Sequence, residues 1–374
     1  MERYLEKYIK RDLKEKIVIL SGPRQVGKTT LSKQLISSNM YLNYDSSSDR
    51  KIVKNEEWTR DVDLVIFDEL HKMKNWKSWI KGIYDTEGIP PGLLITGSAR
   101  LETYRRGGDS LAGRFFSYRL HPLTVKEICS FLNESPKVAL DNIIKYSGFP
   151  EPYLKNDETF TKRWRRTLID TIIREDLLDL ERVRDLKSIE ILIDLLRARV
   201  GSSTSYSSLA NDLQVSIHTV KHWLQILENL YVIFAVRPYH KNIARSILKE
   251  PKYYLYDISS VDGDFSAKLE NVVALALFRD LQLLEDSTGS KVSLHYLKDK
   301  EKNEVDFLTV IDNMPVLMVE VKVSDESFSK SLFRFHKLLK NTRPVQIVYK
   351  LKRKKSSKAI EMFPAHDFLA NFKF

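Results

Sequence analysis

Eight consecutive residues, Gly22-Pro23-Arg24-Gln25-Val26-Gly27-Lys28-Thr29, fill every position of the pattern G-x-x-x-x-G-K-[ST]. Glycines at the two ends let backbone N–H groups turn inward, and a helix starting there adds the positive end of its dipole, so the loop can cradle a polyphosphate. Lys28 is then placed to reach the β and γ phosphates. The Thr29 hydroxyl offers a neutral oxygen to Mg²⁺, a hard cation that keeps several waters and shares phosphate oxygens; Thr30 completes the lining. Asp68 and Glu69 follow the apolar run 64–67. Asp68 is the acid expected on the metal side, and Glu69, one residue on and aimed differently, is expected to polarise an attacking water. A third apolar run, 93–95, ends in polar residues, and Thr96 or Ser98 is expected to touch that water or the γ phosphate. An arginine- and glycine-rich stretch follows. Arg114 first, and Arg100 second, are the candidates for a guanidinium that stabilises spreading transition-state charge.

A second constellation lies near the C-terminus. In residues 316–323 Glu320 and Lys322 alternate with apolar residues, so a period of two puts both on one sheet face, and Asp306 lies on the preceding strand of the same hairpin. Two carboxylates and an ammonium on one face suit a Mg²⁺-dependent phosphodiesterase: the acids hold metal and scissile phosphate, and Lys322 steers or deprotonates water. Glu270, in the helical pattern upstream, is expected to complete the metal shell. Surface strands also produce an Asp followed by Glu-x-Lys, so the residues leave a cutting and a non-cutting domain open.

The elements that must hold these groups are legible from periodicity. Residues 17–20 read as a buried strand entering the loop and 30–36 as the helix leaving it, which with the later apolar runs describes an α/β parallel-sheet domain. Residues 122–185 read as helices, with a basic run at Lys162, Arg163, Arg165 and Arg166 on a solvated face. Residues 206–213 and 217–230 read as a helix-turn-helix, the second helix capped by Ser216, with Ile217, Val220, Leu224 and Leu227 as the buried stripe. His218, Thr219, Lys221, His222 and Gln225 form the opposite face, of a size and polarity that fit a DNA major groove, and 231–236 reads as the strand where a wing would start. A length of 374 residues requires more than one core. The net charge of +11 favours a polyanionic partner, and a lone cysteine, Cys129, leaves no intrachain disulfide. With no apolar run long enough for a bilayer and a charged start, the chain is expected to be cytoplasmic, with no membrane partner.

Five motifs in order carry a family resemblance: the loop at 22–30, Asp-Glu-Leu-His-Lys at 68–72, Thr-Gly-Ser-Ala-Arg at 96–100, Ser-Leu-Ala-Gly-Arg at 110–114 and Gly-Phe-Pro-Glu at 148–151. Together they resemble AAA-type ATPases of archaea and bacteria that carry a winged-helix segment and a C-terminal domain similar to PD-(D/E)XK nucleases. The resemblance implies ATP with Mg²⁺ as cofactors. It also implies a P-loop core at 1–121, a helical lid at 122–188, a winged helix at 189–245 and a mixed α/β nuclease-like domain at 246–374. DNA and further copies of the chain are the partners it suggests. A nucleotide-dependent switch or scaffold, or a transcription regulator, stays open beside the nuclease-coupled reading.

Overall fold

The computed structural model describes residues 2–97, 111–177, 185–240, 250–357 and 359–372. Two compact units make up the chain, Met1–Pro122 and Leu123–Phe374.

In the first unit α1 (Glu6–Asp12) precedes β1 (Ile17–Ser21), whose five residues are all buried; α2 (Lys28–Gln34) leaves the glycine loop. The remaining elements are β2 (Asn39–Asn43), α3 (Ser47–Asn55), β3 (Leu64–Asp68), α4 (Trp76–Glu87), β4 (Gly92–Thr96) and β5 (Phe115–Arg119). The strands form one sheet in the order β2-β3-β4-β1-β5, and every pairing is parallel. Strands buried on both faces explain why 17–20, 64–67 and 93–95 read as unbroken apolar runs rather than alternating ones. A core on one side is built around Trp58, Phe67 and Trp79, whose rings meet edge to face at 5.3–5.6 Å.

Because β4 lies between β1 and β3, the residues ending these strands share one edge. Leu20 pairs with Thr96, and Thr96 with Asp68. In an open parallel sheet the crevice beyond the carboxyl ends of the strands is where ligands bind.

The second unit begins with helices α5 (Val125–Leu132), α6 (Pro136–Tyr146), α7 (Pro150–Lys155), α8 (Glu158–Thr171) and α9 (Leu186–Arg197). Of the basic run on α8, Lys162, Arg163 and Arg166 are exposed as expected. Arg165 is not free in solvent: it bonds the Asp257 carboxylate at 3.2 Å and the Ser259 carbonyl at 2.7 Å, tying the helix to the turn at 257–260.

Helices α10 (Tyr206–Leu213) and α11 (Ile217–Asn229) form the helix-turn-helix, and the Ser216 hydroxyl accepts the Thr219 amide at its cap. The buried stripe of α11 is Val220, Trp223, Leu224, Ile226 and Leu227. Ile217 does not join it; at the first turn it faces outward and is 46% exposed.

An eight-stranded sheet completes this unit: β6 (Ile233–Pro238), β7 (Lys252–Leu255), β8 (Val292–Lys298), β9 (Glu304–Ile311), β10 (Met314–Lys322), β11 (Arg343–Val348), β12 (Lys355–Ser357) and β13 (Ile360–Pro364). β6, read as the start of a wing, pairs antiparallel with β7, and its far end continues into the sheet beside β8. β8, β9 and β10 form an antiparallel meander. Asp312 and Asn313, both at positive φ, make its second turn, as a tight hairpin connection requires.

Helix α12 (Phe265–Thr288) packs across β7 to β10. Its Asn271 side chain bonds both the N–H and the C=O of Leu255, each at 2.8 Å, covering open backbone on the edge strand β7. That docking fixes the neighbouring Glu270 against the sheet. Helices α13 (Lys330–Leu338) and α14 (Ala365–Asn371) complete the unit, α13 connecting the parallel strands β10 and β11.

Candidate functional site

The glycine loop has the backbone its sequence demands. Gly22 has φ +144° and Gly27 φ +95°, and a Cβ added at Gly22 would lie 2.3 Å from the Leu120 carbonyl oxygen, so no other residue fits there. Gln25 is also at positive φ, 59°. Lys28 is buried; its ammonium donates to the Gly22 and Pro23 carbonyls at 2.9 and 2.7 Å, so it lies across the loop's own mouth.

Asp68 gathers the site. Its Oδ2 accepts the Thr29 hydroxyl at 3.0 Å and the Tyr41 hydroxyl at 2.7 Å, while its Oδ1 accepts the Thr96 hydroxyl and the Glu69 amide. Thr96, which with Ser98 is expected at the attacking water or the γ phosphate, is 0% exposed and its hydroxyl donates to Asp68. Tyr41 was not singled out at all. A tyrosine on an otherwise half-buried strand gives no signal until β2 is known to flank β3, and Lys33 then lies 3.7 Å over its ring.

Glu69 stands apart from that network. Its φ of 56° turns the chain sharply after the strand, and its buried Oε2, which accepts no hydrogen bond, lies 3.5 Å from His71 Nε2 and 3.6 Å from Lys72 Nζ. Burial pushes its pKa up, and the Asp68 charge adds to this, against the pull of Lys72 and Lys28. A carboxylate beside Asp68 with an oxygen outside any hydrogen bond is a group that water activation can use. Thr29, Asp68 and the loop amides fit a magnesium–triphosphate: a neutral hydroxyl, one carboxylate and a nest of donors leave the rest of the shell to phosphate and water.

Arg114 does not belong to this site. It precedes β5, where Phe115 pairs with Ile17, so it sits at the opposite edge of the sheet from Ser21, roughly 16 Å away along the strand. There it is paired with Asp85 at 2.6 Å. Ser98 and Arg100 lie outside the described residues.

The C-terminal acids do come together, though not as a three-acid metal shell. Extending the β9–β10 register one step beyond Val319 and Phe307 sets Asp306 beside Glu320, and Asp306 Oδ2 accepts the Val321 amide at 2.8 Å. Glu320 Oε1 pairs with Lys322 at 2.8 Å, while its buried Oε2 has no hydrogen-bond partner. Glu270 lies close enough to feel the Asp306 charge, but its Oε1 is already partnered. It accepts the Tyr254 hydroxyl at 2.6 Å and faces Lys252, an ammonium only 3% exposed, at 3.4 Å. Lys252 also pairs with Glu304 at 2.6 Å, and Glu304 with Lys298 at 3.0 Å. Among the described residues no group of three His, Cys, Asp or Glu side chains is arranged to hold a metal ion. The pair Asp306 and Glu320, with one orphaned buried oxygen, fits an ion that takes one or two carboxylates and completes its shell with phosphate.

Burial and the Asp306 charge raise both Glu270 and Glu320 to about 7. The sign follows from linkage. Carboxyls raised above their unfolded values bind more protons in the folded chain, so their contribution to stability is full at low pH and lost as pH rises through about 7.

The parallel sheet and the glycine loop at its strand ends give the first unit the fold of a P-loop nucleotide-binding domain. Residues 14–129 match the family model described as "AAA domain", while 137–262 and 265–368 match two models described as domains of unknown function, DUF8612 and DUF4143. An uncharacterised protein of Methanocaldococcus jannaschii is 24% identical over 372 residues, covering 90% of this chain and 83% of its own. One from Haemophilus influenzae is 24% identical over 347 residues, covering 82% of each. Among solved structures, Thermotoga maritima RuvB is 17% identical with a TM-score of 0.31, over 62% of this chain and 88% of its own, too loose a superposition to carry any activity across. Among the described residues no helix is long and apolar enough to cross a membrane.

Proposed function

We propose that this chain is a magnesium-dependent ATPase of the AAA type whose nucleotide domain serves a DNA-associated C-terminal unit. The observation that carries the reading is Asp68, held by Thr29, Tyr41 and Thr96 beside the glycine loop, with Glu69 next to it and its Oε2 outside any hydrogen bond. In this reading the loop amides and Lys28 bind the β and γ phosphates, Thr29 and Asp68 hold the ion, and Glu69 orients and deprotonates the attacking water. Bound Mg²⁺ would neutralise charge building on the phosphate oxygens.

The second unit supports contact with nucleic acid through the exposed face of α11, where His218, Lys221, His222 and Gln225 point outward. Its meander with Asp306, Glu320 and Lys322 supports a nuclease-like domain. A non-cutting scaffold is favoured by a different observation, that Lys252 already neutralises Glu270 and Glu304 from within. Phosphate release from ATP by the full chain, with Mg²⁺ and with EDTA, tests the first unit; release that persists in EDTA contradicts it. Plasmid incubated with Mg²⁺ and ATP, beside Lys322→Ala, tests the second: nicking lost on substitution supports cleavage, and intact plasmid throughout supports the scaffold.

A further inference from the structure

Arg3 stands before the first helix, in a stretch that no motif marks, yet its guanidinium is buried at 5% exposure. One nitrogen donates to the Val26 carbonyl at 3.0 Å, inside the glycine loop, and another to the His121 carbonyl. Removing a guanidinium from water is costly unless its donors are matched, so a buried arginine aimed at two backbone carbonyls fixes those carbonyls in place.

The Val26 contact has a definite stereochemical consequence. A trans peptide is planar, so its N–H points opposite to its C=O. Holding the Val26 oxygen toward Arg3 therefore turns the Gly27 N–H the other way. Gly27, at φ +95°, is the residue best able to let that peptide rotate. Rotation would replace a donor by a carbonyl oxygen in a loop whose purpose is to face phosphate with donors.

The second arm reaches the loop's other end. His121 adjoins Leu120, whose N–H bonds the Ser21 carbonyl at 2.9 Å and whose oxygen closes the space behind Gly22. Tyr4 reinforces the same place: its hydroxyl donates to the Arg119 carbonyl at 2.8 Å and accepts the His121 amide at 3.1 Å. Arg3 thus spans both glycines of the loop from outside it.

We propose that Arg3 is a positioning residue for nucleotide phosphate: by pinning the 26–27 peptide it presets the Gly27 amide to receive the polyphosphate. The proposal rests on the reading that the loop binds ATP. The test is steady-state ATP turnover by the full chain, with Arg3→Gln and Arg3→Lys compared to the unsubstituted protein and melting temperature measured on each. Loss of the charge-assisted contact to Val26 predicts that Arg3→Gln raises KM for ATP by about tenfold or more while kcat at saturating ATP stays within about twofold, and that Arg3→Lys, which keeps the charge but offers its donors from a single nitrogen, falls between. An unchanged KM, or a fall in kcat at constant KM that follows the melting temperature, overturns the proposal. Should Arg3→Gln not fold, Arg3→Lys decides on the same criterion. If the unsubstituted chain turns over ATP and the Arg3 variants match its KM, this proposal alone fails; no turnover by the unsubstituted chain strikes the ATPase reading first.

Discussion

Glu69→Gln is expected to bind ATP as the unsubstituted chain does and to turn it over about 10²- to 10³-fold more slowly, the usual worth of a general base. The two adjacent acids have separate tasks because their surroundings differ. Asp68 is held at both oxygens by four donors, and an acid so held is fixed in place for a metal. Glu69, one residue on and at positive φ, has an oxygen that makes no hydrogen bond and only a long ion pair to Lys72 at 3.6 Å, and burial raises its pKa. Glutamine keeps the shape and removes the base. Since the raised carboxyl becomes a base only above its ordinary range, turnover should climb with pH as Glu69 loses its proton, and that limb should vanish in the variant. Phosphate release with nucleotide affinity measured in parallel checks this; lost affinity, or retained turnover, contradicts the assignment.

Lys252→Met should have the largest effect on stability, about 3 kcal/mol at pH 8, because removing one member of a buried ionic set leaves the others without a counter-charge. Glu270 and Glu304 would both lose an ammonium that is 3% exposed, although Glu304 keeps Lys298. The loss should shrink at pH 6. Glu270 already sits at about 7, and without Lys252 it is raised further, so acid lets it neutralise itself. Denaturant unfolding followed by tryptophan fluorescence at the two pH values measures it. A small loss, or one equal at both, would mean that Lys252 is not the cation balancing the cluster.

The parts of the site that were legible in sequence are those where one segment dictates its own conformation. The glycine loop, the strand ends at Asp68 and Thr96, the Ser216 cap and the Asp312-Asn313 turn each follow from local stereochemistry. What escaped needs neighbours that sequence does not supply. Arg3 and Tyr41 reach the nucleotide site only because the chain returns β5 beside β1 and sets β2 beside β3. Arg114 was misplaced for the same reason: spacing located it near a strand, but only the parallel register shows which end of the strand it occupies. Ile217 has the right helical period yet lies in the first turn, where the core does not reach. Glu270 satisfied the chemistry of a metal ligand, and a buried lysine on a strand 18 residues earlier had the prior claim.

The most direct test is calorimetric titration of the full chain with ADP and Mg²⁺, beside Lys28→Ala. Lys28 closes the loop over Gly22 and Pro23 and is the loop cation expected at the β and γ phosphates. One nucleotide bound per chain, with affinity falling about 100-fold or more in the variant, is the expected result. A folded, unsubstituted chain that takes up no nucleotide at millimolar concentration would contradict the account.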